Sequence, residues 1–182
     1  MKILTGKLKG QAILFRPNPH LRPTSDKARK AVFDMLQDGM EGRKVLDLFS
    51  GTGALGLEAL SQGASRVVFV EQDAAQCRRI GENLKRLKIE RSAEVCQWDV
   101  TEWLLSQKAG EVFDFIFLDP PYATGMAVKT LEALAKTNLL SDSGFVVMEC
   151  RRKERLPEVG GLTAVREKHY GQTKILIFSP RA

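Results

Sequence analysis

Asp119-Pro120-Pro121-Tyr122 follows directly on the apolar run Phe113 to Leu118 and lies about seventy residues beyond Gly51-Thr52-Gly53. A carboxylate, two residues without a backbone donor and an aromatic ring suit one task, which is gripping an exocyclic amino group while an electrophile attacks its nitrogen. The lone pair of such a nitrogen is delocalised into its ring, and it becomes nucleophilic only when both hydrogens are held in a geometry that localises it. Two acceptors are needed. The Asp119 carboxylate supplies one and the Pro120 carbonyl the other, while Pro120 keeps Asp119 extended. Tyr122 can stack on the base, a contact worth about 1 to 3 kcal/mol. A plain strand-to-loop stop also uses Asp and Pro, so the run gains meaning from what shares its sheet.

Gly51-Thr52-Gly53-Ala54-Leu55-Gly56 fits G-x-G-x-x-G between a strand and a helix, and Glu71 stands twenty residues beyond the first glycine. Such a turn lets backbone approach a ligand closely, and an acid ending the second strand can accept hydrogen bonds from ribose hydroxyls. The pattern alone does not separate a nicotinamide cofactor from S-adenosylmethionine. Asp47, four residues before Gly51, is poorly placed for a pyrophosphate and suits an ammonium group. Together with the Asp-Pro-Pro-Tyr run it favours S-adenosylmethionine, with in-line methyl transfer to the gripped nitrogen. Asp73 begins a capping box with Gln76, which leaves Glu71 for ribose. Asp99 has two readings, as the cap of Asp99-Val-Thr-Glu102 or as an acceptor for the adenine amino group of the cofactor.

These groups must be positioned by the elements around them. Residues 2–5 and 11–15 read as a hairpin across Gly6 to Gly10, followed by a Pro-rich link, Arg16 to Pro23. Thr24 and Ser25 are N-cap residues for a helix that ends near Gly39 and Gly42. Beyond Lys44, strands at Val45–Phe49, Arg66–Glu71, Ala93–Gln97, Phe113–Leu118 and Gly144–Glu149 alternate with helices at Ala54–Gln62, Ala74–Leu87, Thr101–Gln107 and Met126–Asn138. That alternation predicts an α/β fold with a mostly parallel sheet. Leu162–Tyr170 and Thr173–Phe178 break it and predict a C-terminal antiparallel hairpin. We expect a single domain over 1–182, with a basic hairpin arm and linker (1–23), an N-terminal helix (24–42) and a Rossmann-like core (43–182).

Hydrophobic residues at 43% and charged ones at 27% describe a water-soluble globular chain, and no apolar run reaches the length of a membrane span. The short apolar start is no signal peptide, so the expected location is cytoplasmic. Cys77, Cys96 and Cys150 lack close Cys or His neighbours; they read as small buried residues, and no metal is expected. Trp98 and Trp103 read as core or helix packing, and His20 and His169 as bystanders. Net charge is +6, yet residues 1–30 hold eight basic side chains against Asp26 alone, or +7, which leaves minus one for the rest. A concentrated basic segment suits phosphate contacts, with Lys7, Lys9, Arg22 and Arg29 as candidates.

These residues together resemble the bacterial 16S ribosomal RNA (guanine-N2) methyltransferases. The resemblance runs through Gly6 to Gly10, Leu21-Arg22-Pro23-Thr24 with Asp26 and Arg29, Val45 to Gly51, Gly53 to Leu60, Asn83-Leu84, Asp119 to Tyr122 and Tyr170-Gly171-Gln172-Thr173. It departs at Gln11 and Gln62, where a basic residue is usual, and at Lys30, where an acid is usual. The resemblance implies a class I methyltransferase sheet with an N-terminal arm, S-adenosylmethionine as donor and a partly assembled small ribosomal subunit as substrate, acted on by a monomer. By position it implies that Asp47, Ser50, Gly51, Thr52, Gly53, Glu71 and Asp99 hold the cofactor and that Asp119, Pro120, Pro121 and Tyr122 hold the guanine. A DNA adenine-N6 or cytosine-N4 methyltransferase would use the same clamp, but only about 40 residues lie outside the sheet domain to read a target. A protein-glutamine methyltransferase would more typically have Asn in place of Asp119. A non-catalytic RNA-binding module does not explain the intact Asp119 run, and a nicotinamide oxidoreductase does not explain the Pro-Pro pair.

Overall fold

Short runs rich in valine, phenylalanine and isoleucine, separated by glycine-bearing or charged segments, form the strands of one sheet. The computed structural model of the chain describes residues 1–15, 25–36, 39–107, 110–121 and 125–181. Its strands are β1 (Lys44–Leu48), β2 (Arg66–Glu71), β3 (Ala93–Gln97), β4 (Phe113–Leu118), β5 (Leu140–Arg151), β6 (Leu162–Tyr170) and β7 (Thr173–Pro180). They lie in the order β3-β2-β1-β4-β5-β7-β6. β1 to β5 pair in parallel, while β7 runs antiparallel between β5 and β6. The strand order reverses at β1, between β2 and β4, and in open α/β sheets ligands bind at that switch point beyond the carboxyl ends of the strands.

Parallel neighbours require crossovers, and helices supply them on both faces. α1 (Asp26–Met35), α2 (Ala54–Ser61) and α3 (Ala74–Leu87) cover one face, where Val45, Phe69, Phe117, Val147 and Ile175 point. α4 (Val100–Ser106) and α5 (Met126–Leu134) cover the other, over Leu46, Val70, Ile116 and Met148. Val45, Leu46 and Leu48 have no exposed surface, and each such burial stabilises the fold by about 1.5 to 3 kcal/mol. Phe33 of α1 meets Phe117 edge-on, with ring centroids 5.7 Å apart, which fixes α1 over the centre of the sheet.

Several boundaries differ from the periodicity. β5 starts at Leu140 because Leu140 pairs with Phe113 across a register shift, so the turn-like Ser141-Asp142-Ser143-Gly144 lies within a strand. α5 stops at Leu134, where the Lys136 and Thr137 amides turn back three residues to Ala133 and Leu134. α1 stops at Met35 with Leu36 as its C-cap, short of Gly39.

The N-terminal hairpin narrows to one antiparallel bridge, Lys2 with Ala12, and its stability comes from what it docks on. Ile3 and Ile13 enter the core of α1 to α3. The Glu58 carboxylate of α2 accepts the Leu4 amide at 2.9 Å and the Thr5 amide and hydroxyl at 2.7 Å. Asn83 of α3 closes a two-way bond with the Leu14 backbone at 2.8 and 2.9 Å, and Arg86 donates to the Ala12 carbonyl. Gln62 donates to the Thr5 hydroxyl at 2.7 Å. Side chains of two helices therefore satisfy the arm's backbone where a second strand would otherwise be needed.

Candidate active site

The glycine turn is built for a sharp reversal. Phe49 leaves β1 with φ of 59°, and Gly53 caps α2 with φ of 72°, its amide donating to the Ser50 carbonyl at 2.7 Å. A side chain at Gly53 would be strained by that φ and would meet Ile80 Cγ1 at 3.0 Å. Gly56 has a different reason: a Cβ there would stand 2.2 Å from the Phe69 ring, so this glycine lets α2 lie close on β2. Ser50 donates its hydroxyl to the Asp47 carbonyl at 2.6 Å and so braces the turn; Thr52 is buried as well.

Two acids, Asp47 and Glu71, bond the turn and the start of α2, and two more cap the helices that follow β2 and β3. Asp47, 3% exposed, accepts the Gly56 amide at 2.9 Å through Oδ2. Burial pushes its pKa well above the usual carboxylate range, partly offset by the Gly56 bond and reinforced by the charges of Asp119 and Glu71. Glu71 was expected to be free for ribose; instead Oε2 accepts the Gly51 amide at 2.8 Å and Oε1 the Asp73 amide at 2.9 Å. Each oxygen keeps a second lone pair, so ribose contact remains open to it. Asp73 caps α3 through the Ala75 and Gln76 amides. Asp99 caps α4 through Oδ1, which accepts the Thr101 and Glu102 amides at 2.8 and 3.1 Å.

Asp119 leaves β4 beside this turn. Leu118 pairs with Leu48 on one side and Met148 on the other, so Asp119 stands level with Phe49 of the turn and with Glu149 of β5. Asp119 is half-buried, Pro120 is buried and Pro121 is exposed. Tyr122 lies outside the described residues. Glu149, which sequence reading passed over as the polar end of an apolar strand, is 8% exposed. Its signal was there: an acid closing Val146-Val147-Met148 on the strand beside the Asp-Pro-Pro run.

The expected phosphate contacts are distributed differently. Arg29 is a correction, because it is fully buried. Its Nη2 donates to the Lys2 carbonyl at 2.6 Å and to Asp26 at 2.9 Å, and its Nε lies 3.6 Å from Glu58. Burial lowers its pKa, with Glu58 and Asp26 opposing that shift. A guanidinium enclosed in this way holds the arm to α1 and α2 and cannot meet a phosphate from there. Lys7 and Lys9 are exposed. The Lys7 amide donates to the Ser61 carbonyl at 2.7 Å and its Nζ lies 3.8 Å from Glu41, which puts the arm's tip at the far end of α2. That is a helix length, about 12 Å, from the catalytic edge of the sheet. Arg22 lies outside the described residues. At the catalytic edge itself Arg151, Arg152 and Lys153 are exposed, and the Arg152 amide donates to Gln172 in the β6–β7 turn at 2.8 Å. A whole-segment charge count hid them among later acids.

Trp98 departs from the core role expected of it, with 48% of its surface exposed beside Asp99; Trp103 is buried. His169 bonds Glu167 at 2.6 Å on β6, and His20 lies outside the described residues. Cys77 and Cys150 are buried, which pushes their thiols up to about 11 and about 12, while Cys96 is half-buried. Among the described residues no group of His, Cys, Asp and Glu could hold a metal, and no helix is long and apolar enough to cross a membrane.

A reversing parallel sheet with an antiparallel last strand, a glycine turn after β1, an acid ending β2 and Asp-Pro-Pro after β4 define the class I S-adenosylmethionine-dependent methyltransferases, and the chain is an enzyme of that class. The turn and its acids fit the cofactor: the left-handed backbone at Phe49 and Gly53 sets a sharp reversal at the carboxyl end of β1, and Glu71, bonded to the Gly51 amide, keeps further lone pairs for hydroxyl groups. The chain belongs to the family described as Conserved hypothetical protein 95, whose model matches residues 1–179. It is 35% identical along its whole length to the putative rRNA methyltransferase YlbH of Bacillus subtilis, covering 100% of that protein. It is 32% identical to ribosomal RNA small subunit methyltransferase D of Escherichia coli, across all of this chain and 91% of that one. Among solved structures, the putative methyltransferase yhhF from Escherichia coli superposes with a TM-score of 0.86 at 31% identity, over 100% of this chain and 98% of the other.

Proposed function

We propose that the protein transfers a methyl group from S-adenosylmethionine to the exocyclic N2 of a guanine in small-subunit ribosomal RNA, acting in the cytoplasm on a partly assembled subunit. The observation that carries the reading is the level placement of Asp119 on β4 beside the Gly51–Gly53 turn of β1. It brings an amino-group acceptor next to the place where a donor would lie. The bound cofactor supplies an electrophilic methyl group. Asp47, Ser50, Gly51, Thr52, Gly53, Glu71 and Asp99 would hold it, with Glu71 toward the ribose and Asp99 toward the adenine. The Asp119 carboxylate and the Pro120 carbonyl accept the two amino hydrogens of the base, and Tyr122 stacks on its ring. Lys7, Lys9 and Arg22 contact phosphates away from the target. The names of the relatives, which specify ribosomal RNA and the small subunit, support the choice of substrate.

The test offers labelled donor with small ribosomal subunits, protein-free ribosomal RNA and DNA, followed by digestion and mass spectrometry. N2-methylguanosine from the subunit is the expected product. N6-methyladenine in DNA would overturn the reading.

A further inference from the structure

Glu149 is a buried acid that none of the roles above uses. Met148 pairs with Leu118, so Glu149, still within β5, stands level with Asp119, the first residue beyond the parallel neighbour β4. Side chains alternate along a strand, and both residues stand two positions beyond members of the α1-to-α3 core, Val147 and Phe117. The two carboxylates therefore rise from one face of the sheet, on strands about 4.8 Å apart. At 8% exposure the Glu149 carboxylate is held within the protein, directly after the apolar run Val146-Val147-Met148.

Position across the sheet says what it meets. In strand order the site reads Glu71 on β2, the glycine turn on β1, Asp119 on β4 and Glu149 on β5. The cofactor side is β2 and β1, and the amino group is held at β4. The rest of an acceptor base then extends toward β5. In guanine the ring atom beside the amino group on the Watson–Crick edge is N1, which carries a hydrogen. In adenine and in cytosine the corresponding ring nitrogen carries a lone pair. A carboxylate is an acceptor only, so it bonds the first and repels the others.

We propose that Glu149 accepts the N1–H of the target base and thereby selects guanine over adenine and cytosine at this site. This rests on the guanine-N2 reading above and explains how a clamp common to amino-group methylation becomes specific. Asp119 grips what reacts, and Glu149 reads what the base is.

The experiment replaces the mapped target guanosine in the substrate RNA with 2-aminopurine riboside, which keeps the amino group and lacks the N1 hydrogen. For the unmodified enzyme, kcat/KM should fall by about 10- to 100-fold on this analogue. In Glu149→Gln, methylation of guanine should fall by a similar factor and the preference for guanine over 2-aminopurine should shrink to about threefold or less, with S-adenosylmethionine affinity unchanged. An unmodified enzyme that uses both bases equally well overturns the proposal without recourse to any variant. So does a Glu149→Gln enzyme that slows equally on both, since that pattern marks a residue supporting the fold. Those outcomes leave guanine-N2 methylation standing; methylation of adenine or cytosine in the first assay removes both readings.

Discussion

Asp47 Oδ2 accepts the Gly56 amide at 2.9 Å from inside the protein, tying the end of β1 to the first turn of α2 beneath the glycine loop. Burial holds this carboxyl well above its unfolded value of 3.8, so the folded chain binds the proton more tightly than the unfolded one. Its contribution is therefore full below that value and is lost as the pH rises toward the folded pKa. Asp47→Asn keeps an acceptor for Gly56 and should remove this slope, leaving the variant the more stable of the two at neutral pH. Denaturant midpoints across the acid-to-neutral range check it; a slope that persists in the variant locates the titrating group elsewhere.

Asp119→Ala should abolish methyl transfer while S-adenosylmethionine binds as before. In the proposed reaction the carboxylate acts on the acceptor, whereas the turn that would hold the donor is formed by β1 and α2. Calorimetry and a single-turnover assay separate the two effects. A near-normal rate would remove Asp119 from the chemistry.

Arg29 and Glu58 form a fully enclosed pair that fastens the arm. Taking away one partner leaves the other charge buried, so Arg29→Met should cost about 3 to 5 kcal/mol of stability in equilibrium unfolding. The Glu58 carboxylate also accepts the Leu4 and Thr5 amides, and Glu58→Ala should additionally expose the arm to proteolysis. Wild-type stability in Arg29→Met would show that the pair is dispensable.

Charges at the two edges of the sheet should differ in their effect on RNA binding. Neutralising Lys7 and Lys9 should lower the slope of log affinity against log salt by up to about 1.5 and leave cofactor affinity alone. Neutralising Arg152 and Lys153, which stand at the catalytic edge, should lower it by as much and raise KM more. Unchanged slopes in both double variants would place the RNA on another surface.

Much of this was legible in the chain because the signals are local. β2, β3, β4 and α3 have the boundaries that their periodicity and caps predict, since Asp73 caps a helix through amides two and three residues away. β5 was under-read for the opposite reason, as its first residues are turn formers held extended by β4. Arg29 looks like any other cation of a basic arm until Glu58, twenty-nine residues on, encloses it.

The sequence by itself determined the succession of strands and helices and the reactive groups at their ends, because apolar spacing, caps and prolines act over a few residues. Only the tertiary structure decided which ends stand side by side and which charges lose their water. Strand pairing sets Glu149 level with Asp119, and docking of the arm buries Arg29. Both depend on neighbours from distant parts of the chain, whose contacts no local spacing records.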